Sequence, residues 1–302
     1  MKNFTAVIFG YGFMAQSSHH SMSKEKRFRV KGLILPDKRS VHYSTNIKKN
    51  LNIKTLYSEN LQKIFLFIKK INPDVVIIST FNKILSNKIL KLSKFINVHH
   101  GKLPQQKGRA SINWAIIMGR NQIYITIHEA TVALDSGRII YQKKIIIKKY
   151  DNYSTIKKKV NLFLKNNLSK IILKFLEKKI KLKNNNKNKA TWNCGRNPED
   201  GMINFYKSRN NVINLIRGTN DKNFGAYCFL KDKKITILEA RINSKKKYEG
   251  LIPGRIVKIH KNGNVDCLCA DGEIRITSII YKNKLLKPSK IINSTKYTLL
   301  ND

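Results

Sequence analysis

The sequence predicts an α/β chain: a mostly parallel sheet with helices on both faces, followed by a smaller β-barrel. Three observations predict it. Apolar runs of strand length, such as Val75-Val-Ile-Ile-Ser79, alternate with helix-period segments through the first half of the chain, as in βαβ units. The first run, Ala6–Phe9, ends in Gly10-Tyr-Gly12, the strand-to-glycine turn with which doubly wound domains open. Beyond the polar, low-complexity stretch Lys183-Asn-Asn-Asn-Lys-Asn-Lys189 the pattern changes to short strands at regular spacing. The expected division is a first domain 1–182, a linker 183–189 and a barrel domain 190–302.

The elements follow in order. After Gly12 a helix is expected, but the third glycine of a GxGxxG fingerprint is replaced by Ala15, so the dinucleotide signal is incomplete. His19 and His20 on that helix read as surface or packing residues. Phe28–Leu35 is the second strand, and Pro36-Asp-Lys-Arg39 opens a basic loop. Leu61–Ile71 has helical spacing, with Lys69 and Lys70 in the last turn, where cations suit the helix dipole. Asn72-Pro73-Asp74 turns into the strand Val75–Ser79, then a short helix is expected over Leu85–Leu92 and a strand over Phe95–Val98. Ser111–Met118 reads as helix, Tyr124–His128 and Arg138–Ile147 as strands, and Thr155–Ile180 as a long amphipathic helix. In the second half, a helix is expected over Val212–Arg217. Strands are expected over Ala226–Leu230, Lys234–Glu239, Gly254–His260, Val265–Cys269 and Ile274–Ile279, with turns at Asn262-Gly263 and Asp271-Gly272.

The 302 residues carry 60 Lys or Arg against 18 Asp or Glu, a formal net charge of +42. One reading is a polyanionic partner such as RNA. The other is a Lys-, Asn- and Ile-rich composition without a binding role, since the lysines are spread along the whole chain. No apolar run approaches the roughly 20 residues of a membrane helix. The N-terminus reads as a strand, not a signal peptide. Cys194, Cys228, Cys267 and Cys269 lack CxxC spacing, which favours reduced cytosolic thiols over disulfides or zinc.

The densest site material is Asn97-Val-His-His-Gly-Lys-Leu-Pro-Gln-Gln-Lys-Gly108, at the end of a strand. In an extended segment residues i and i+2 share a side, so Asn97 and His99 face one cleft while His100 points away. Strand carboxyl ends are where ligands bind in a parallel sheet. A second polar island, Leu134-Asp-Ser-Gly137, supplies a carboxylate from a distant loop, which is what an imidazole needs to be oriented. The plain alternative is a strand-end turn whose polar groups satisfy one another. His99, His100 and Asp135 could also ligate a metal.

These motifs resemble those of the formyltransferases that use 10-formyltetrahydrofolate, a family that includes methionyl-tRNA formyltransferases and N-formyltransferases of amino-sugar nucleotides. Such proteins carry Asn-x-His, a Leu-Pro-x-x-x-Gly loop and an Asp in a Leu-Asp-Thr-Gly segment. Here these are Asn97-Val-His99, Leu103-Pro-Gln-Gln-Lys-Gly108 and Leu134-Asp135-Ser-Gly137. Ala190-Thr-Trp192, the Arg217 helix and Pro253-Gly254-Arg-Ile-Val extend the resemblance over nearly the whole chain. It implies a Rossmann-like catalytic domain, an OB-like β-barrel, a cytoplasmic enzyme, and formyl transfer from 10-formyltetrahydrofolate to a primary amine without a metal. Asn97 would then donate to the oxyanion, His99 would move a proton or give a second hydrogen bond, and Asp135 would orient His99 and take up the proton.

Phe81 and Ile84 would hold the folate ring, and Leu103, Pro104 and Gly108 would shape the cleft wall. Lys102 stands where an apolar residue is usual. The segment Pro36–Thr45 lacks the Gly-Arg-Gly character usual in tRNA-formylating members. Gly108-Arg-Ala-Ser-Ile-Asn-Trp114 and Gly195-Arg-Asn-Pro-Glu-Asp200 look more like the sugar-nucleotide members, whereas the basic surface suits tRNA. Methionyl-tRNA is the leading acceptor, an amino-sugar nucleotide the alternative, and a non-catalytic RNA-binding protein the second alternative.

Overall fold

The computed structural model describes residues 2–40, 53–81, 83–220, 225–242 and 246–300. Part of the basic loop after the second strand, residues 41–45, lies outside them. The residues form two compact units. The first comprises 1–108, 123–145 and 158–193, and the second comprises 109–122, 146–157 and 194–302.

The first unit is built on β1 (Phe4–Gly10), α1 (Gly12–Lys24), β2 (Phe28–Leu35), β3 (Lys54–Tyr57), α2 (Leu61–Ile71), β4 (Val75–Ser79), α3 (Asn87–Leu90), β5 (Lys94–His99) and β6 (Lys107–Gly108). After α4 (Ser111–Ile117), which belongs to the second unit, come β7 (Gln122–Glu129), β8 (Ile139–Ile146) and the long α5 (Tyr153–Leu176). The main sheet runs β3-β2-β1-β4-β5-β7-β8. Its strands are parallel from β3 to β5, and β7 joins β5 antiparallel. Every residue of β4 is buried, as expected of a strand covered on both faces.

Local chemistry sets the helices. Asn60 caps α2, its side-chain oxygen accepting from the backbone N–H groups of Gln62 and Lys63 at 2.9 and 3.0 Å. The left-handed Asn72, φ 47°, ends the helix. Ile64 and Ile68 are its buried face. Helix α1 has no strong apolar stripe because Ser17, Ser18 and Ser21 share its buried face with Met14, Ala15 and Met22. Ser18 Oγ lies 2.7 Å from Ser79 Oγ, Ser21 Oγ donates to Ser169 Oγ at 3.2 Å, and Ser17 Oγ donates to Asn161 Oδ1 at 2.6 Å. Those pairings make burial of the hydroxyls affordable, since each buried polar group has a partner.

The expected helix over Leu85–Leu92 contracts to the single turn of α3, and the short edge strand β3 carries no period that sequence reading could find. The long helix starts earlier and stops sooner than its apolar spacing suggests, at Tyr153 and Leu176.

After β9 (Trp192–Asn193), the second unit contains α6 (Arg209–Gly218), β10 (Ala226–Leu230), β11 (Lys233–Arg241), β12 (Ile256–Ile259), β13 (Val265–Cys269), β14 (Gly272–Tyr281) and β15 (Lys284–Leu286). Its antiparallel sheet runs β10-β11-β14-β13-β12, with β15 also on β14. The two outer edges are connected through the last residues. Phe229 bridges Leu300 and Arg255 bridges Thr298, so the tail lies along both β10 and the approach to β12. The core gathers Ile203, Phe205, Ile216, Ile237, Ile276 and Leu299 with three buried free thiols, Cys228, Cys267 and Cys269. Burial pushes the Cys228 and Cys269 thiols up to about 12, so they behave as small apolar groups.

Candidate active site

The site forms at the carboxyl end of β5. Strand pairing sets Asn97 opposite His128 of β7, and His99 opposite Thr126. Asp135 arrives from the loop after β7, with its backbone in the left-handed region at φ 48°. It is 5% exposed.

Four groups converge on that carboxylate. Oδ2 accepts from the Gly108 N–H at 3.0 Å and lies 3.6 Å from His99 Nδ1. Oδ1 accepts from Asn97 Nδ2 at 3.3 Å and lies 3.5 Å from His128 Nε2. The same Asn97 nitrogen lies 3.0 Å from His128 Nε2.

Backbone carbonyls fix the ring protons, because a carbonyl only accepts. His99 Nε2 is 2.7 Å from the Gln106 carbonyl, so the proton of the neutral ring sits on Nε2 and Nδ1 turns its lone pair to Asp135. His128 Nδ1 is 2.8 Å from the Glu129 carbonyl, so its Nε2 accepts from Asn97. The Asn97 Nδ2 group is therefore shared by His128 and, over a longer bond, by Asp135.

The electrostatics follow from burial and neighbours. Burial holds His99 below its ordinary 6.5, although the Asp135 charge pulls the other way. Burial opposes the Asp135 charge, but the His128 ring, the charge His99 carries at acid pH and the Gly108 N–H outweigh it and bring the carboxyl down to about 2. Near neutral pH the pair is a carboxylate facing a neutral imidazole. Its Nδ1 is a base whose protonated form the carboxylate stabilises.

The loop from Gly101 to Gly108 is built by close approach. A Cβ on Gly101 would stand 2.5 Å from both His99 Nε2 and the Gln106 carbonyl oxygen. Gly108, at φ +90°, would place one 2.3 Å from the Asn193 carbonyl oxygen. Leu103 is buried, and its carbonyl accepts from Gln142 Nε2 at 2.8 Å. Its bond to Pro104 is cis.

A cleft of about 70 Å³ opens beside the cluster, with Asn97, His128 and Asp135 on its polar wall and Ile78, Phe81, Ile84, Leu90 and Leu134 on its apolar one. Ile84 and Leu134 form an exposed apolar rim at 58% and 44%. Of the residues expected from sequence, Asn97, Asp135, Phe81 and Ile84 thus meet at one cleft, and His99 stands behind Asp135. Leu103 and Pro104 do not line it, and Gly108 enters through its N–H alone. His100 turns away as expected. Its half-buried ring stacks on Phe13 with centroids 5.8 Å apart, and its buried Nε2 has no hydrogen-bond partner. No group of three His, Cys, Asp or Glu residues is arranged to hold a metal ion among the described residues.

His128 is the residue that sequence reading passed over. Its strand was legible, but its place opposite Asn97 depends on an antiparallel pairing that no local pattern encodes. Lys107 was seen only as part of a motif. It is 2% exposed, and its Nζ donates to Ser136 Oγ at 2.7 Å beneath the Trp192 ring.

Known proteins share this framework. A family model described as formyl transferase matches residues 10–172, and one described as formyl transferase, C-terminal domain, matches residues 196–296. A methionyl-tRNA formyltransferase of Malacoplasma penetrans (strain HF-2) is 31% identical over 218 residues, 70% of this chain and 66% of that protein. The bifunctional polymyxin resistance protein ArnA of Wigglesworthia glossinidia brevipalpis is 31% identical over 209 residues, 67% of this chain and 32% of that protein. The solved structure of WlaRD, a sugar 3N-formyl transferase in the presence of dTDP and 5-N-formyl-THF, shares the fold with a TM-score of 0.64 at 18% identity. That match covers 94% of this chain and 100% of the other. With the N-terminal match covering β2 to β8, the Asn97–His99 strand and the Asp135 loop, the chain belongs to the formyl transferase family.

Proposed function

We propose that this protein transfers a formyl group from 10-formyltetrahydrofolate to a primary amine, with methionyl-tRNA as the acceptor. The observation that carries the reading is the buried Asn97–His128–Asp135–His99 cluster, which opens on a cleft with an apolar rim. A pterin ring is flat and apolar on its faces, and Phe81, Ile84 and Leu134 give it a surface.

The acceptor nitrogen attacks the formyl carbon and a tetrahedral oxyanion forms. Asn97 directs an amide hydrogen to that oxygen while its bond to His128 holds the amide in place. The proton lost by the amine passes to the space between Asp135 and His99 Nδ1, and Asp135 stabilises the resulting imidazolium. The same proton returns to the folate nitrogen as the carbon–nitrogen bond to it breaks. Asp135 and His99 therefore act as one coupled pair.

The methionyl-tRNA assignment is favoured by a relative of that name aligned over 70% of the chain, and by a formal charge of +42 that suits a polyphosphate backbone. One observation favours an amino-sugar nucleotide instead. Arg196 Nη2 donates to the Asp200 carbonyl at 2.6 Å and the Asp200 carboxylate accepts from the Asn197 N–H at 2.7 Å, giving a rigid turn in the segment that resembles the sugar-acting members.

Purified protein with 10-formyltetrahydrofolate should be offered charged initiator tRNA and, separately, a panel of amino-sugar nucleotides. Turnover with the tRNA alone is the expected result, and turnover with a sugar alone replaces the acceptor. Salt-sensitive tRNA binding with no folate turnover would leave an RNA-binding protein and reject the enzyme.

A further inference from the structure

The low-complexity segment after α5 makes contacts that a spacer does not need. Lys183 and Ile139 exchange backbone hydrogen bonds at 2.8 and 2.9 Å, which ties the start of the segment to the start of β8. Two residues on, Asn185 Nδ2 donates to the carbonyls of Asp135 at 2.9 Å and Gly137 at 3.0 Å. Both hydrogens of one amide are thus spent on the loop that presents the site carboxylate. Further along, Thr191 Oγ1 accepts from the Gln106 N–H at 3.1 Å and the Thr191 carbonyl accepts from the Lys107 N–H at 2.9 Å. Trp192 and Asn193 then pair in parallel with Lys107 and Gly108. Gln106 is the residue whose carbonyl fixes the His99 tautomer, and Gly108 is the one whose N–H binds Asp135. Lys107 Nζ joins the two loops through Ser136, whose hydroxyl donates to the Leu134 carbonyl at 3.0 Å.

We infer that residues 183–193 are a strap that positions the site, with Asn185 holding the Asp135 loop and Thr191 holding Gln106, its hydroxyl on the Gln106 N–H and its carbonyl on the Lys107 N–H, so that the Gln106 carbonyl faces His99. Neither residue reaches the cleft, so both are positioning residues. Asp135 has a left-handed backbone, and a loop in that conformation needs its carbonyls tied if the side chain is to hold one direction. Asn185 ties the carbonyls at 135 and 137 with a single side chain. On the other side, Gln106 is suspended between His99 and Thr191, so a shift of Thr191 moves the carbonyl that decides which nitrogen of His99 carries the proton. A single stretch of chain therefore sets both partners of the His99–Asp135 pair.

The inference rests on the formyl-transfer reading for its kinetic readout, and a ligand-free measurement separates the two. Asn185→Asp replaces two donors by acceptors, Thr191→Val removes the acceptor at constant shape, and Thr191→Ser restores it. Asn184→Ala, an exposed neighbour in the same run, is the control. Expected are a tenfold or greater fall in kcat for Asn185→Asp and Thr191→Val, KM for folate within about twofold, a displaced acid limb in the pH–rate profile, near-normal turnover for Thr191→Ser, and no change for Asn184→Ala. In ligand-free protein, ring-nitrogen NMR of His99 should show Thr191→Val shifting the Nε2–H signal and the titration, with Thr191→Ser matching wild type. Unchanged kcat and unchanged His99 signals in folded Asn185→Asp and Thr191→Val protein would overturn the strap. So would losses that follow melting temperature alone and are not rescued by Thr191→Ser. A wild-type protein that turns over no folate would instead sink the formyl-transfer reading, and the NMR arm would still decide the strap.

Discussion

Replacing Asp135 by Asn tests the site where charge and shape can be separated. The left-handed backbone at φ 48° is one that Asn adopts readily, so the loop keeps its path. The amide can still accept the Gly108 N–H now held at 3.0 Å. What is lost is the negative charge between two imidazoles, at 3.6 and 3.5 Å.

Two magnitudes follow. Proton transfer by a positioned group is worth roughly 100- to 10,000-fold, and kcat should fall within that range, because an imidazolium on His99 loses its counter-charge. For stability, the carboxyl stands at about 2 against an ordinary 3.8, a difference equivalent to about 2 kcal/mol at roughly 1.4 kcal/mol per unit. The folded pKa is depressed, so this contribution is complete above pH 3.8, shrinks as pH falls, and is gone below about 2. Urea titrations of wild type and Asp135→Asn at pH 7, 4 and 3 read the second quantity, and single-turnover formyl transfer reads the first. The wild type should lose its advantage on acidification. A variant with kcat within threefold of wild type, or a stability gap that does not narrow below pH 4, would refute the reasoning.

Asn97→Ala removes the oxyanion donor and should cost about 2.7–4 kcal/mol of barrier, roughly 100- to 1000-fold in kcat, with circular dichroism unchanged. Gly101→Ala drives a methyl to 2.5 Å from His99 Nε2 and the Gln106 oxygen, and should lower both activity and melting temperature. Ile77 is fully buried in the central strand, and Ile77→Ala should destabilise by about 2–5 kcal/mol in urea unfolding. Burial and then neighbouring His99 lower the His100 pKa from 6.5 to about 3, so the unfolded chain takes up a proton that the folded one refuses between those values. Stability should therefore fall as pH drops below 6.5, and His100→Phe, which keeps a ring beside Phe13, should lose less over that window in parallel thermal melts.

Legibility in the sequence followed the range of the interactions. Val75–Ser79 and Leu61–Ile71 could be read because their apolar spacing and caps are local. Asn97 and His99 could be read because their residue types are poor material for the strand that carries them, and Asp135 because it stands in a polar island after an apolar run. The serine face of α1 defeats an apolar period, since its burial depends on hydroxyls supplied by Ser79 and Ser169. His128 acquires its role from strand pairing, and Asn185 from a contact across 50 positions, inside a run of lysine and asparagine that resembles a spacer in composition.

One turnover with carbon-13 in the formyl group of 10-formyltetrahydrofolate tests the central claim most directly. The label should appear on the α-amine of methionyl-tRNA in wild type, and Asn97→Ala and Asp135→Asn should leave it on the folate. Label released as free formate, or transferred equally well by both variants, would contradict it.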